Sequence, residues 1–311
     1  MTASATSAFV ENAPAKVNLT LRVLGRRADG YHDIESLVGF ADFGDTLSFA
    51  PGGELALTMR GPNATLAGPD PDNLVVKAAR SLAALIPGIR LGAFELHKRL
   101  PVAAGLGGGS ADAAAALRLL ARANVISSID VRLYDAARAT GADVPVCLDP
   151  QPRLMRGIGE KLSAPLALPP LPAVLVNPRV ALATKAVFAG WTPAVRKYDP
   201  CDPMEIAKLV RRDDLLQYLM KRANDLEFSA IALAPALAEV LQALRALPGR
   251  RLVRMSGSGA TCFAVFASAA DAIRAGSTLH GRYPHWWVRV CALGGVASNA
   301  ACRVRQEVAS T

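Results

Sequence analysis

Apolar and polar residues alternate over VNLTLRV (17–23), a period of two that predicts a half-buried strand, and RRADGYHD supplies a turn after it. The runs IESLVGFA, DTLSFA and ELALTM predict further strands. The period then changes. In DNLVVKAARSLAALI, Leu74, Val75, Ala78, Leu82 and Leu85 recur near one helical face, with Asp72 and Asn73 as candidate caps. GAFELHKRL returns to strand and runs into LPVAAGLGGGSADAAAALRLLA (100–121), whose glycines precede a helix expected from Ala111 to Ala123. A second helix from Val131 to Ala139 and the segment TGADVPVCL close this half.

The stretch SAPLALPPLPAVLVNP (163–178) is dense in proline, so residues 150–172 are read as a passage between a first domain, 1–152, and a second, 153–311. The second half predicts a strand (PAVLVNP), a short helix (TKAVFAGW) and two longer helices (MEIAKLVRRDDLLQYLMKR and NDLEFSAIALAPALAEVLQAL). A strand–glycine turn–strand unit (RLVRMSGSGATCFAVFA), a helix (ADAIRAGSTL) and a strand (WWVRVCAL) follow. Strands and helices mix without regular βαβ alternation, which predicts an α+β fold over a doubly wound sheet.

Composition narrows the class. At 311 residues with 51% apolar content the chain can bury a core of about two ordinary domains. It begins without a basic start followed by an apolar run, and every apolar stretch is interrupted short of a membrane span, so a cytoplasmic protein with no membrane partner is expected. Cysteines 147, 201, 262, 291 and 302 are odd in number, scattered and never in a CxxC arrangement, which predicts neither a disulfide framework nor a zinc site. Histidines 32, 97, 280 and 285 lack partners at ligand spacing, so no metal-binding side-chain cluster is expected. The net charge of +9 is dispersed, with only doublets such as Arg26–Arg27 and Arg211–Arg212, and aromatics are 5%; a small anionic substrate or a nucleotide accounts for it as well as a nucleic acid.

The glycine stretch carries the first chemical signal. A linker is polar on both sides, whereas these glycines lie between an expected strand and an immediate helix. That placement sets the free N–H groups of a first helical turn beside a backbone without Cβ atoms, which suits a phosphate. No lysine follows the glycines, which excludes a Walker A loop. From Gly105 the order is Gly-Leu-Gly-Gly-Gly-Ser, which lacks the third glycine of a dinucleotide fingerprint.

PVAAGLGGGSA (101–111) resembles the ATP phosphate loop of the small-molecule kinases that include galactokinase, homoserine kinase, mevalonate kinase and phosphomevalonate kinase. APAKVNL (13–19) and MSGSGATCF (255–263) match two further motifs of that GHMP superfamily in the right order. Within it, PAKVNLTLRVLGRRADGYHDIESLVGFADFGD (14–45), DNLVVKAA, TGADVPV, RGIGEKL and NDLE are similar to the family of 4-diphosphocytidyl-2-C-methyl-D-erythritol kinases. Val102-Ala103-Ala104 departs from the Met-Gly-Gly common there while keeping small residues.

The resemblance implies a two-domain fold, with an N-terminal domain like domain 2 of ribosomal protein S5 and a C-terminal ferredoxin-like domain, and a cleft where ATP and substrate meet. It implies transfer of the γ-phosphoryl of ATP, with Mg2+ accompanying the nucleotide, to the 2-hydroxyl of 4-diphosphocytidyl-2-C-methyl-D-erythritol in the non-mevalonate route to isoprenoid precursors. A kinase for another small alcohol, or a non-catalytic sugar or nucleotide sensor, would share the fold; a sensor is expected to lose the lysine or the aspartate. The protein would work as a monomer or homodimer on a small molecule, without nucleic acid.

By the same resemblance Pro101, Val102, Ala103, Ala104, Gly105, Leu106, Gly107, Gly108, Gly109, Ser110 and Ala111 form the phosphate loop. Asp143 would accept the hydroxyl proton, and Lys16 would lower that hydroxyl's pKa or stabilise charge on the phosphoryl group. Without the resemblance the sequence leaves a choice of lysines and carboxylates for these roles, and Asp143 reads equally as a turn cap beside Pro145 and Lys16 as a surface cation. Asn18, two residues from Lys16 on one strand face, would orient the hydroxyl. Tyr31 and His32 would form the cytosine site, with Phe188 as its second wall and Thr184 reaching the substrate; as structure alone they are strand-entry and helix-packing residues. Ser110 would donate to phosphate or magnesium, or N-cap the following helix.

Overall fold

The computed structural model describes residues 9–66, 73–193 and 200–295. Its organising element is β3 (His32–Pro51), twenty residues long. One edge of β3 is shared by β2 (Arg22–Arg26) and β1 (Phe9–Asn18). The other is divided among β6 (Arg153–Gly157), β11 (Trp287–Gly294) and β5 (Gly92–His97), all antiparallel to it. β4 (Ala56–Arg60) lies parallel to β5, and β7 (Lys161–Leu162) pairs with β6.

Sequence reading separates IESLVGFA from DTLSFA, yet both belong to β3. The pairing with β1 shifts between Pro14 and Lys16, and there Gly44 lies so close to Ala13 and Pro14 that a Cβ would meet the Pro14 Cα at 2.5 Å. The irregularity bends the strand without ending it. The opposite change occurs at VNLTLRV, where one expected strand is two. The Thr20 hydroxyl accepts from Leu37 N at 3.0 Å and Ser36 Oγ donates to Thr20 O at 2.5 Å, replacing the regular ladder. Residues 15–21 are buried throughout rather than alternately, because both halves of the protein close over them.

Helices α1 (Leu74–Leu85), α2 (Gly108–Ala123), α3 (Val131–Thr140) and α4 (Val144–Leu148) pack with β1 and β3 around one core. Asn73 caps α1 by accepting from Val75 N; Asp72, the other candidate, lies outside the described residues. The alanines of α2 are buried almost all round, as suits a helix wedged between a sheet and other helices.

The second half contributes β8 (Leu171–Asn177), β9 (Arg250–Met255) and β10 (Cys262–Phe266) beside β11, in the antiparallel order β11-β8-β10-β9. With α9 (Ala236–Ala246) and α10 (Ala269–Arg282) packed on these strands, this is the ferredoxin-like βαββαβ arrangement. Pro235 divides the helix expected from Asn224 onward into α8 (Glu227–Leu233) and α9, and it drives Ala234 out of helical geometry, to φ −139° and ψ 85°. The other long expected helix also splits, into α6 (Pro203–Ala207) and α7 (Arg212–Met220), where the Arg212 side chain donates to the Pro170 and Ala267 carbonyls. Between the halves, β6 continues the first sheet past residue 152, so the expected passage at 150–172 opens with ordered sheet.

Cys147, Cys201, Cys262 and Cys291 are buried free thiols; Cys302 lies outside the described residues. Among the described residues no helix is long and apolar enough to cross a membrane, and no group of three or more His, Cys, Asp and Glu residues is placed to hold a metal.

Candidate active site

A cavity of about 1240 Å³ lies where the two halves meet. Its floor is the glycine stretch. Gly107, at φ +60°, precedes α2, and the first intrahelical bond runs from Ala111 N to Gly107 O at 2.8 Å. The amides of Gly108, Gly109 and Ser110 therefore stand at the positive end of a sixteen-residue helix, free to meet an anion. Ser110 is inside the helix; the N-cap is Gly107, because the turn needs a left-handed residue there. Pro101 through Gly105 and Gly107 through Ser110 line the cavity, whereas Leu106 and Ala111 anchor the loop in the core below.

The loop is braced by the glycine–serine turn of the second half. Gly105 takes φ +72°, and its carbonyl accepts from Ser256 Oγ at 2.9 Å. The Ala104 carbonyl accepts from Thr261 N at 3.0 Å, and Lys16 N donates to Leu106 O at 2.9 Å. A Cβ on Gly105 would meet the Gly259 carbonyl at 2.7 Å, and one on Gly107 would meet Lys16 Cε at 3.2 Å. The cradle is thus closed to side chains where it approaches the turn and Lys16.

Lys16, on β1, and Asp143, preceding α4, are 127 residues apart in sequence, and Lys16 Nζ donates to Asp143 Oδ2 at 2.8 Å. The Lys16 side chain is 5% exposed and that of Asp143 38%, so the ammonium is held from below while the carboxylate remains open to the cavity. Asp143 makes no side-chain cap bond to α4, so its turn-capping alternative has no such bond here. Asn18 is buried beside Lys16; its backbone N donates to Ser256 Oγ at 3.1 Å and its amide to Ser36 Oγ at 2.7 Å.

At the other end, the His32 ring lies 5.1 Å from Phe188 on α5 (Thr184–Ala189) and 5.8 Å from Trp191. Burial and the Arg26 guanidinium hold the His32 imidazole below its ordinary pKa, which favours the neutral ring. Tyr31 is 59% exposed at the cavity wall. Thr184 also lines the cavity, its hydroxyl 3.0 Å from that of Ser258.

Sequence reading missed several neighbours. Lys98, just before the phosphate loop, is buried and donates to Asp45 at 2.5 Å and to Asp112 on α2 at 2.7 Å. Burial alone would lower the Lys98 pKa; Asp112 and Asp45 outweigh it and raise it. Burial pushes the Asp112 carboxyl up to about 7, although Lys98 opposes the shift, and Asp112 Oδ1 is buried with no hydrogen-bond partner. A lysine two residues before Leu100 and an aspartate after Ser110 carry no motif by themselves. Trp191 had a signal, its position three residues after Phe188.

Models of the GHMP kinases N terminal domain and the GHMP kinases C terminal match residues 73–149 and 206–285. The chain is 53% identical over 299 residues to the 4-diphosphocytidyl-2-C-methyl-D-erythritol kinase of Rhodopseudomonas palustris (strain BisB5), covering 92% of this chain and 99% of the relative. It is 55% identical over 281 residues to the enzyme of the same name from Xanthobacter autotrophicus, covering 89% and 96%. A crystal structure of 4-(cytidine 5'-diphospho)-2C-methyl-D-erythritol kinase superposes with a TM-score of 0.73 at 34% identity, over 92% of this chain and all of that one. The homoserine kinase of Cytophaga hutchinsonii shares the fold, with a TM-score of 0.64 at 20% identity over 95% and 98% of the two chains.

Proposed function

The chain belongs to the GHMP kinases, in the family of 4-diphosphocytidyl-2-C-methyl-D-erythritol kinases, and from that premise we propose how its residues divide the reaction. The activity is ATP-dependent phosphorylation of 4-diphosphocytidyl-2-C-methyl-D-erythritol at its 2-hydroxyl, in the methylerythritol phosphate route to isoprenoid precursors.

Asp143 is the general base and Lys16 the cation beside the transferring group. The observation that carries this assignment is their 2.8 Å ion pair in the cavity, with Gly107 over the lysine stem and the carboxylate left open. Asp143 takes the hydroxyl proton as the oxygen attacks, and Lys16 stabilises the charge that develops on the phosphoryl oxygens. Phosphoryl transfer needs little covalent help from the protein, so positioning matters most. The amides of Gly107 through Ser110 hold the donor phosphates, and Asn18 orients the acceptor.

Magnesium, brought with ATP, supplies charge neutralisation when bound. The donor set fits an ion carried by nucleotide and water: Ser110 offers one hydroxyl, Asp45 and Asp112 are engaged by Lys98, and no group of three or more His, Cys, Asp and Glu residues stands there among the described residues. Tyr31, His32 and Phe188 receive the cytosine, and Thr184 contacts the substrate nearby. The first unit, extended from residue 152 to include β6, provides the ATP site, and the remainder contributes substrate contacts. A cytoplasmic setting accords with the four free thiols among the described residues.

The test is phosphorylation of the cytidyl substrate beside uncapped methylerythritol, mevalonate and homoserine, with magnesium-ATP. Turnover confined to the cytidyl compound supports the reading, and turnover confined to compounds lacking cytosine overturns it. Asp143→Asn should keep ATP binding and lose about 10²–10⁴-fold in turnover. Ordinary activity in that variant removes Asp143 as the base.

A further inference from the structure

The cavity wall carries four Lys and Arg side chains among the described residues, and they fall into two classes. Lys16 is committed to Asp143, and Lys98 to Asp45 and Asp112. Arg26 and Lys185 line the same cavity and have no ion pair or side-chain hydrogen bond with any described residue.

Both unpaired cations flank the aromatic pair. Arg26 is the cross-strand partner of His32 in the β2–β3 hairpin, so their side chains share a face. The next residue, Arg27, stands within 3.5 Å of Asp29 and 3.7 Å of Asp33 and braces the turn. The arginine doublet therefore splits into one residue that secures the hairpin and one that is left for the cavity. Lys185 lies three residues before Phe188 on α5, hence on the same helical face. The charge of Arg26 reaches the aromatic pair, since it contributes to the depressed pKa of His32.

We infer that Arg26 and Lys185 are the seat of the diphosphate carried by the nucleotide substrate, gripping it from the β2–β3 hairpin and from α5 as it leaves the aromatic slot. This rests on the reading of Tyr31, His32 and Phe188 as the base site. A cytidine nucleotide with its base in the pocket lined by Tyr31, His32 and Phe188 carries its phosphates out along the same cavity wall, past the residues that flank that pocket. The phosphate loop and Lys16 serve the other nucleotide, so the second diphosphate needs its own cations. Arg26 supplies a planar fork for two phosphate oxygens, and Lys185 a mobile point charge. Selection of a diphosphate over a bare nucleoside then belongs to these two residues, separately from selection of the base.

The experiment is calorimetric titration with CDP, CMP and cytidine, at saturating β,γ-imido-ATP so that the phosphate loop is filled. Arg26→Ala and Lys185→Ala should each weaken CDP about 5–10-fold, between the worth of an exposed ion pair and that of a hydrogen bond to a charged group, because both side chains are exposed. Cytidine affinity and the KM for ATP should be unchanged, and Arg26→Lys should recover part of the loss. The double variant should bind CDP little better than cytidine and show a flatter salt dependence. CDP affinity unchanged in the double variant overturns the inference. Phe188→Ala tests the base slot independently, since unchanged cytidine affinity there would sink that reading whatever the two cations do.

Discussion

Gly105→Ala tests whether the phosphate loop and the glycine–serine turn form one rigid seam. Gly105 adopts φ +72°, where an alanine costs about 1–2 kcal/mol. The added Cβ would also meet the Ser256 carbonyl oxygen and stand 2.7 Å from that of Gly259 and 3.0 Å from its nitrogen. Backbone cannot swing aside as a flexible side chain does, and overpacking of this kind costs about 1–3 kcal/mol. Together the two effects amount to roughly 2–5 kcal/mol. Relief requires the loop to separate from the turn, which loosens the bonds from Ser256 Oγ to Gly105 O and from Thr261 N to Ala104 O. Stability should fall in urea denaturation, and the KM for ATP should rise because the amides of 107–110 lose their bracing. Gly109→Ala is the control for stability. It lies inside α2 outside the left-handed region, and its Cβ would make ordinary contact with Leu74 at 3.4 Å, so it should stabilise by up to about 1 kcal/mol. A Gly105→Ala protein as stable as its parent, with unchanged ATP affinity, would refute the seam.

Three other outcomes can be checked. Burial raises the folded pKa of Asp112 above the unfolded value, so between about pH 4 and 7 the native state keeps a proton that the unfolded chain has released, and this site's contribution to stability falls as pH rises. Asp112→Asn should therefore gain stability relative to its parent between pH 5 and pH 8, read from urea midpoints; a pH-independent difference would contradict it. Phe188→Ala should raise the KM for the cytidyl substrate by about 5–150-fold, from a stacking contribution of roughly 1–3 kcal/mol, and leave the KM for ATP alone in steady-state kinetics. Glu35→Ala removes the buried carboxylate that accepts from Cys201 N at 2.8 Å and pairs with Arg156 at 2.9 Å, and should lower the melting temperature measurably.

The legibility of the chain follows from the range of each interaction. Helix α2 was readable because alanine propensity and the preceding glycines act within a few residues. The period-two runs marked most of the strands for the same reason. The errors lie where distant groups decide. Thr20 leaves the ladder because Ser36 and Leu37 bond to it, and β3 continues through Gly44 because β1 presses against that position. The breaks at Pro235 and at residues 208–211 differ in kind: proline was visible in the sequence, whereas the anchoring of Arg212 to Pro170 and Ala267 was not. β6 was missed because five residues after a proline-dense turn acquire their meaning only from pairing with β3.

The amino-acid order by itself determined a phosphate-binding loop before a helix, an α+β chain of two halves, and the family through motifs spread from residue 13 to 263. Such features are local or are matched one motif at a time. Tertiary structure alone decided that Lys16 meets Asp143, that Lys98 is locked between Asp45 and Asp112, and that of two adjacent arginines one braces a turn while the other faces the cavity. These are questions of which charges lie within a few ångströms of each other, and Coulomb energy and desolvation depend on distance through space and not on separation along the chain.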